Sequence, residues 1–337
     1  MIKIDSLKLK FNINTVKDIE FNNFFVIEKK DNNKNLLTKK FILDTSKNNN
    51  LGLKNIELVC DLGLIEYGVI ELSAKVLRQD YFDLINRNNI EKVIDTINSF
   101  NIIEFNKNRF IDNAEVLRAD VTDNLIVSKE VSDYIRALRF CKINNKYRTE
   151  NYGSEAIVFK RNVSSYKERM IFYNKFTEML KDKEAKFLGI DKFKNVLRCE
   201  NNITSFSRLR KVFEIEPYNK IYLKDILNSN KQVNYETFNR IVNTDNLLSA
   251  RLFSNEFQNM QLRQIEKRLG QECIISKCEF DLNKISEFLK LHTSSKTRMY
   301  DCLKEYKKVL LSMQSERDIE SQQVKYIKEI KELLRVA

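Results

Sequence analysis

The chain contains one proline, Pro217, and the spacing of its apolar residues changes at that point. Before Pro217, short β-branched segments alternate with helical patterns, which is typical of a mixed sheet and helix domain. After Pro217 the pattern is almost wholly helical. The sequence therefore predicts an α+β domain over residues 1–215 and a mostly helical domain over residues 216–337.

Eight short segments rich in β-branched residues are predicted strands, and three segments with helical periodicity are predicted helices. The strands are residues 4–13, 24–28, 56–59, 67–73, 116–122, 157–159, 170–173 and 196–203. The helices are residues 81–100, 130–140 and 316–336, the last with an apolar stripe of Ile319, Val324, Ile327, Ile330 and Leu333.

The net charge and the residue types limit which partners and which catalytic residues the protein can use. A net charge of +12 favours a polyanionic partner, because Lys and Arg neutralise phosphates and release counterions. Lys/Asn/Ile-rich proteins of AT-rich genomes share this charge without binding nucleic acid, so charge alone does not decide. The single histidine, His292, excludes a metal site built on a histidine pair. We therefore expect chemistry from tyrosine, lysine and carboxylates, which suit phosphoryl transfer with Mg²⁺ or Mn²⁺.

The sequence shows no feature typical of a membrane span, a signal segment or a zinc site. The first residues alternate like a strand rather than forming an apolar signal segment, and no run approaches the roughly 18 apolar residues of a membrane span. The six cysteines include no Cys-x-x-Cys pair, which does not favour a zinc site. We expect a soluble, cytoplasmic protein with no membrane contact.

Acidic residues recur in the middle of predicted strands. The pattern Val-Leu-Arg-x-acid occurs twice, and strand alternation puts Arg118 with Asp120, and Arg198 with Glu200, on a polar face. A third strand offers Glu71 on one face, together with Ser73 and Lys75. The plain interpretation is an antiparallel sheet whose solvated face carries cross-strand ion pairs. Three such strands together favour a shared carboxylate site for a cation, since acids are disfavoured within strands.

A tyrosine and a lysine stand two residues apart where a strand gives way to a helix. In a strand, Tyr173 and Lys175 point to the same side. Lysine could stabilise a phenolate that attacks a phosphodiester, giving a phosphotyrosine ester. Alternatively, Tyr173 is one more half-buried aromatic among 13 tyrosines. Basic residues cluster upstream, as a phosphate-binding surface requires: Lys160, Arg161, Lys167 and Arg169.

Several segments, in this order, resemble the replication initiators typified by the gene II protein of filamentous bacteriophages, relatives of which occur on plasmids. They cover roughly residues 1 to 210 and none is specific alone. The segments are Ile4-Asp5-Ser6-Leu7-Lys8-Leu9, Ile70-Glu71-Leu72-Ser73-Ala74-Lys75-Val76-Leu77, Leu117-Arg118-Ala119-Asp120, Asn151-Tyr152-Gly153-Ser154-Glu155 with Phe172-Tyr173-Asn174-Lys175-Phe176-Thr177-Glu178, and Arg198-Cys199-Glu200.

The resemblance implies a fold and an activity for the two predicted domains. Residues 1–215 would form an antiparallel-sheet, nuclease-like nicking and joining domain, with the repeated strand pattern as duplicated half-motifs. Residues 216–337 would bind DNA or oligomerise. The protein would be a rolling-circle initiator that nicks one origin strand, stays attached to the 5′ phosphate and leaves a 3′ hydroxyl primer.

The resemblance also implies roles for residues and partners. Tyr173 would be the nucleophile and Lys175 its charge-stabilising neighbour, with Tyr166, Tyr152 and Tyr147 as alternative nucleophiles. Glu71, Asp120 and Glu200 would bind Mg²⁺ or Mn²⁺, although the wider superfamily uses a histidine pair that this chain lacks. Partners would be single-stranded or hairpin origin DNA, a host helicase and a host polymerase, in a bacterial cell carrying the phage or plasmid. Candidate DNA contacts are Lys75, Arg118, Lys160, Arg161, Lys167, Arg169 and Arg198.

The helical region and the whole chain each allow a plainer interpretation. Residues 281–291 and 297–311 could form a helix-turn-helix element, capped by Ser295 and carrying Lys296, Arg298 and Tyr300, or an ordinary helical hairpin. The last helix could be a homodimer contact or could cover the core. The alternative functions are a non-catalytic DNA-binding initiator or regulator and, as a third hypothesis, a structural RNA-binding protein.

Overall fold

The computed structural model describes residues 1–30, 36–46, 50–61, 64–161, 168–242 and 260–337. Within these residues, a large antiparallel sheet is flanked by helices, and the C-terminal region is helical. The predicted α+β class with a helical C-terminal region is therefore confirmed.

The strands are numbered in chain order. They are β1 (Ile4–Asn12), β2 (Val16–Ile19), β3 (Phe24–Lys30), β4 (Leu36–Leu43), β5 (Leu53–Asp61), β6 (Leu64–Ser73), β7 (Ile103–Phe105), β8 (Glu115–Ile126), β9 (Tyr147–Tyr152), β10 (Ala156–Arg161), β11 (Glu168–Asn174) and β12 (Val196–Ile203). In the described part of the chain, ten of them form one sheet in the order β3-β4-β5-β6-β1-β8-β12-β11-β10-β9. Strands β2 and β7 pair separately.

The helices are likewise numbered along the described residues. They are α1 (Ile90–Asn98), α2 (Lys107–Asn113), α3 (Val131–Phe140), α4 (Lys175–Leu180), α5 (Phe206–Phe213), α6 (Leu223–Leu227), α7 (Val233–Ile241), α8 (Leu262–Lys277), α9 (Leu282–His292) and α10 (Lys296–Val336). Short 3₁₀ segments lie between them, of which Ala74–Asp83 matters most for the site.

All eight predicted strands are present, but the predicted helix over residues 81–100 is too long. Its first part belongs to the 3₁₀ segment Ala74–Asp83, and α1 begins only at Ile90. Arg78 and Leu84 have positive φ angles of 54° and 58°, which a continuous right-handed helix does not allow. The chain therefore kinks before and after Tyr81, whose side chain is buried.

Among the described residues, three hydrophobic cores hold the elements together. The first joins β1, β5, β6 and β8 to helices α1, α2, α5 and α6. The second packs α3, α7 and the end of α10 against strands β9 to β12, with the Phe172 and Phe238 rings 5.8 Å apart. The third lies among α8, α9 and the first half of α10. Helices from the region after residue 216 thus contribute to all three cores.

Candidate active site

A cavity of about 480 Å³ opens on the polar face of the sheet, where β1, β8, β12 and β11 lie side by side. Its charged lining contains both signs. The cationic residues are Lys54, Lys75, Arg118, Arg169 and Lys175, and the acidic ones are Asp5, Asp120, Glu178, Glu184 and Glu200. Such a lining offers cationic hydrogen-bond donors and carboxylate acceptors side by side.

Antiparallel pairing explains why residues from distant parts of the sequence meet here. Tyr173 lies directly opposite Arg198, and Asp120 lies opposite Asn202, so all four side chains share one face. On β12, Leu197 and its neighbour at 199 are buried on the other face, in the second core. The predicted alternation of polar and apolar faces is confirmed on this strand.

The predicted junction between strand and helix is also confirmed. β11 ends at Asn174, whose side chain caps α4 by accepting the Thr177 amide at 3.1 Å. Lys175, the first residue of α4, is only 2% exposed and donates to Glu178 at 2.6 Å. Its Nζ lies 5.7 Å from the centre of the Tyr173 ring. Burial and the nearby Arg198 charge lower the pKa of Lys175.

The Tyr173 hydroxyl donates a hydrogen bond of 2.5 Å to Glu200 Oε1. Burial and the Asp5 carboxylate raise the pKa of Glu200 to about 7. Burial and the Glu200 carboxylate raise the pKa of Tyr173 well above its ordinary value. The phenol therefore stays protonated at neutral pH unless an adjacent group takes its proton.

Arg198 is the buried centre of the site. Its side chain is fully buried, and its guanidinium donates to Asp5 at 3.1 Å, to the Tyr81 hydroxyl at 2.8 Å and to Asn124 at 2.9 Å. Burial alone would raise the pKa of Asp5, but the charges of Arg198 and Lys175 hold that pKa below its ordinary value. This position does not suit the direct DNA contact that the sequence suggested for Arg198.

Asp5 and Tyr81 are site residues that the sequence analysis missed. The pairing of β1 with β8 shifts register between Ile4 and Ser6, as at a β-bulge, so that Asp5 and Ser6 both line the cavity. Tyr81 lies in the kinked 3₁₀ segment and also lines the cavity. Pattern alone gave no signal for either residue, because both depend on a local departure from regular geometry.

The acids predicted as metal ligands are paired with protein groups. Arg118 lies 2.9 Å from Asp120 and 3.7 Å from Glu71, and Asn202 donates a further short hydrogen bond to Asp120. Burial raises the pKa of Asp120 although Arg118 opposes the shift. Glu71 does not line the cavity, whereas Asp120 and Glu200 do.

Within the described residues, these acids do not form a ready-made metal site with three protein ligands. Carboxylate oxygens are suitable donors for Mg²⁺ or Mn²⁺. Over the residues that the structure describes, however, no three acidic, histidine or cysteine side chains converge closely enough to hold an ion. We therefore assign no metal ligand among Glu71, Asp120 and Glu200.

Three of the predicted DNA contacts line the cavity in the described residues. Arg118 and the exposed Arg169 line it, and so does Lys75, which pairs with Asp182 at 2.5 Å and with Glu184 at 3.4 Å. Lys160 and Arg161 lie on β10 and do not line the cavity, and Lys160 pairs with Glu150 at 2.6 Å. Lys167 falls outside the described residues.

The alternative tyrosines lie away from the cavity or cannot be placed. Tyr152 is 55% exposed on β9, and Tyr147 is buried in the second core. Tyr166 lies outside the described residues. Tyr173 is therefore the better candidate, because it lines the charged cavity whereas Tyr147 and Tyr152 do not.

The predicted helix pair near the C-terminus is present as α9 and the start of α10. Ser295 caps α10 by accepting the Arg298 amide. Lys296, Arg298 and Tyr300 are exposed on its first turns. The long final helix begins earlier than predicted, at Lys296, and its apolar residues Ile327 and Ile330 are buried in the second core. The side chain of Ile319 lies outside the described residues.

Across the described ranges, no helix combines the length and the apolar character needed to cross a lipid bilayer. No family model, curated protein or solved structure matches the chain. Conclusions about function therefore depend on the cavity and the residues that line it.

Proposed function

We propose that the chain is a rolling-circle DNA replication initiator, a site-specific nickase and ligase that acts through a 5′-phosphotyrosine intermediate. The observation that carries the proposal is Tyr173, which lines a cavity together with five cationic and five acidic side chains. On this proposal the sheet is a nuclease-like domain, its two Val-Leu-Arg-x-acid strands are duplicated half-motifs, and the C-terminal helices bind DNA or a second copy.

The proposed reaction exchanges one phosphate ester for another. The Tyr173 oxygen attacks the scissile phosphorus, and the bond from phosphorus to the 3′ oxygen breaks. The 5′ phosphate stays on the tyrosine, while the released 3′ hydroxyl primes a host polymerase as a host helicase opens the duplex. Since the new ester keeps the energy of the old bond, the reverse attack reseals the strand without ATP.

Lys175 is suited to stabilise the charge that develops on the phosphate. Its ammonium is buried beside the Tyr173 ring, and fixed charges are most effective when water is excluded. Because it begins a capped helix, its backbone is held in place relative to β11. A lysine at this position can therefore act on the transition state without a large rearrangement.

The size of the cavity favours an unpaired DNA strand. A volume of about 480 Å³ accommodates part of one strand but not a base-paired duplex. DNA would then be cut where it is single-stranded or extruded as a hairpin, since unpaired nucleotides can enter a pocket. We propose Mg²⁺ or Mn²⁺ as the cofactor and assign no residues as its ligands. The exchange of phosphate esters is described without the ion.

The decisive experiment is capture of the covalent adduct. The full chain is incubated with Mn²⁺ and a pool of single-stranded oligonucleotides of random sequence, and species that survive denaturing detergent are isolated and sequenced. We expect an adduct with a common sequence in the wild type and in Tyr152→Phe, which removes an exposed hydroxyl outside the cavity. We expect none with Tyr173→Phe. An equal yield with Tyr173→Phe would refute the assignment.

A second candidate function is a DNA-binding initiator or regulator without catalysis. It is favoured by the pairing of Arg118 with Asp120 and Glu71, which neutralises acids that would otherwise be free for catalysis. It predicts selection of one DNA sequence from the same pool with no adduct under any divalent metal. Sequence-selective binding without nicking of supercoiled DNA would establish it.

A further inference from the structure

The contact between Tyr173 and Glu200 carries an inference that rests on the proposed function and goes beyond it. The two residues are on neighbouring strands, but Glu200 lies opposite Ile171 rather than opposite Tyr173. The phenol therefore reaches diagonally, and its oxygen approaches Glu200 Oε1 to 2.5 Å. With only 14% of the Glu200 side chain exposed, this hydrogen bond does not compete with bulk water.

Charged and titratable groups from five elements surround Glu200. They are Asp5 on β1, Arg118 on β8, Tyr173 on β11, Lys175 at the start of α4, and Arg198 on β12, whose guanidinium lies 3.9 Å from Glu200 Oε1. Burial and the Asp5 charge raise the pKa of Glu200, while Arg198 and Lys175 oppose that shift. At neutral pH the group can thus both accept a proton and return it, as a general base requires.

We propose that Glu200 is the general base that takes the proton of the Tyr173 hydroxyl during strand cleavage. The proton moves from the phenol to Oε1 as the tyrosine oxygen forms its bond to phosphorus and the bond to the 3′ oxygen breaks. The departing 3′ oxygen takes a proton from water. In the resealing direction the 3′ hydroxyl loses that proton, and protonated Glu200 returns its own to the phenolate, so the two directions balance.

This assignment replaces the metal-ligand role that the family resemblance implied for Glu200. Glu200 Oε1 accepts the hydrogen bond from the phenol and lies 3.9 Å from the Arg198 guanidinium, so this oxygen already has a proton donor and a cation beside it. A base is needed because burial and the neighbouring carboxylate raise the pKa of the Tyr173 phenol. The same carboxylate that discourages spontaneous ionisation therefore provides the route for the proton.

The test measures single-turnover adduct formation by Glu200→Gln on the DNA selected by the wild type. Glutamine keeps the size and an acceptor oxygen but cannot take the proton. We expect the rate to fall by about 10² to 10⁴ at unchanged DNA affinity, the usual loss for a missing general base. The matched control is Glu329→Gln, which alters a second, partly buried contact between a tyrosine and a glutamate, Tyr134 Oη to Glu329 Oε2 at 2.7 Å, away from the cavity. We expect it to keep the wild-type rate.

Two further measurements separate a base from a residue that only supports the structure. Fluorinated tyrosine at position 173 has a more acidic phenol, so we expect it to restore at least about tenfold of the rate lost in Glu200→Gln. The wild-type rate should rise with pH up to about 7 and then level off, because the base must be ionised. In Asp5→Asn this rise should shift to lower pH, since the charge that raises the pKa of Glu200 is gone.

Each outcome decides the proposal. A Glu200→Gln rate within about threefold of wild type overturns the base role while leaving the nickase intact, and so does a slow variant that fluorinated tyrosine does not rescue. If Glu200→Gln does not fold, the pH profiles of the wild type and Asp5→Asn decide: an unmoved rise overturns the role. No adduct from the wild type, with sequence-selective binding retained, overturns both the role and the proposed function.

Discussion

Replacing Glu200 by glutamine should make the folded protein more stable at alkaline pH, and the size of the gain follows from the site. The pKa of Glu200 is raised from the ordinary 4.5 to about 7 by burial and by Asp5. At about 1.4 kcal/mol per pKa unit, ionising this group in the folded state costs about 3 kcal/mol once the pH exceeds 7.

The wild type loses stability as the pH rises, because the pKa of Glu200 is higher in the folded chain than in the unfolded chain. Below pH 4.5 the carboxyl is protonated in both folded and unfolded chains, so it contributes no pH-dependent difference. Between pH 4.5 and 7 the unfolded chain ionises first and the folded state loses relative stability, up to the full amount above pH 7. Glutamine does not ionise, so Glu200→Gln should match the wild type near pH 4.5 and exceed its unfolding free energy by about 3 kcal/mol at pH 8.5.

Urea unfolding at pH 4.5 and pH 8.5 measures this difference, followed by circular dichroism because the chain contains no tryptophan. The control is Glu66→Gln, an exposed position on β6, which should change the unfolding free energy by less than about 0.5 kcal/mol at either pH. A Glu200→Gln gain that is the same at both pH values, or a loss at pH 8.5, would refute the account of the buried carboxylate. Stabilisation with loss of nicking is the combination expected of a residue kept for function.

Contacts in the site lead to three other predictions, two for substitutions and one for metal binding. Arg198→Met removes the buried guanidinium that pairs with the partly buried Asp5 carboxylate and should cost about 3 to 5 kcal/mol in urea unfolding, so a loss below about 1 kcal/mol would contradict the ion pair. Gly52→Ala adds a Cβ that collides with the Val76 backbone at a φ of +84°, and should lower the unfolding free energy by more than about 1 kcal/mol; an unchanged urea midpoint would count against this geometry. Because Arg118 and Asn202 pair with Asp120, the DNA-free protein should bind Mn²⁺ only weakly in paramagnetic resonance titrations, and tight Mn²⁺ binding without DNA would contradict this pairing.

The parts of the site that the sequence predicted are those set by regular strand geometry. Alternation along β12 placed Arg198 and Glu200 on one face, and the change from β-branched residues to a helical pattern located Lys175 at the start of α4. Both depend on periods of a few residues, which a single sequence records. The eight predicted strands were found for the same reason.

What the sequence could not predict depends on irregular geometry and on pairing between distant segments. Asp5 reaches the cavity because β1 shifts register, and Tyr81 because a 3₁₀ segment kinks. The polar strand β9 offers little apolar alternation, so its pattern gave no signal. Strand order decides which charged side chains pair with one another, as Arg118 pairs with Glu71. Local sequence pattern does not predict that order.

The position of the site within the sheet determines how well its geometry resists local unfolding. β1, β8, β12 and β11 are each hydrogen-bonded on both sides, whereas β3 and β9 end the ten-stranded array in the described residues. Local openings begin where least backbone is protected, so the ends of the sheet should exchange their amide hydrogens first. Fraying there would leave Tyr173 and Glu200 in register until the whole sheet opens. The arrangement that moves a proton would then persist for as long as the fold itself.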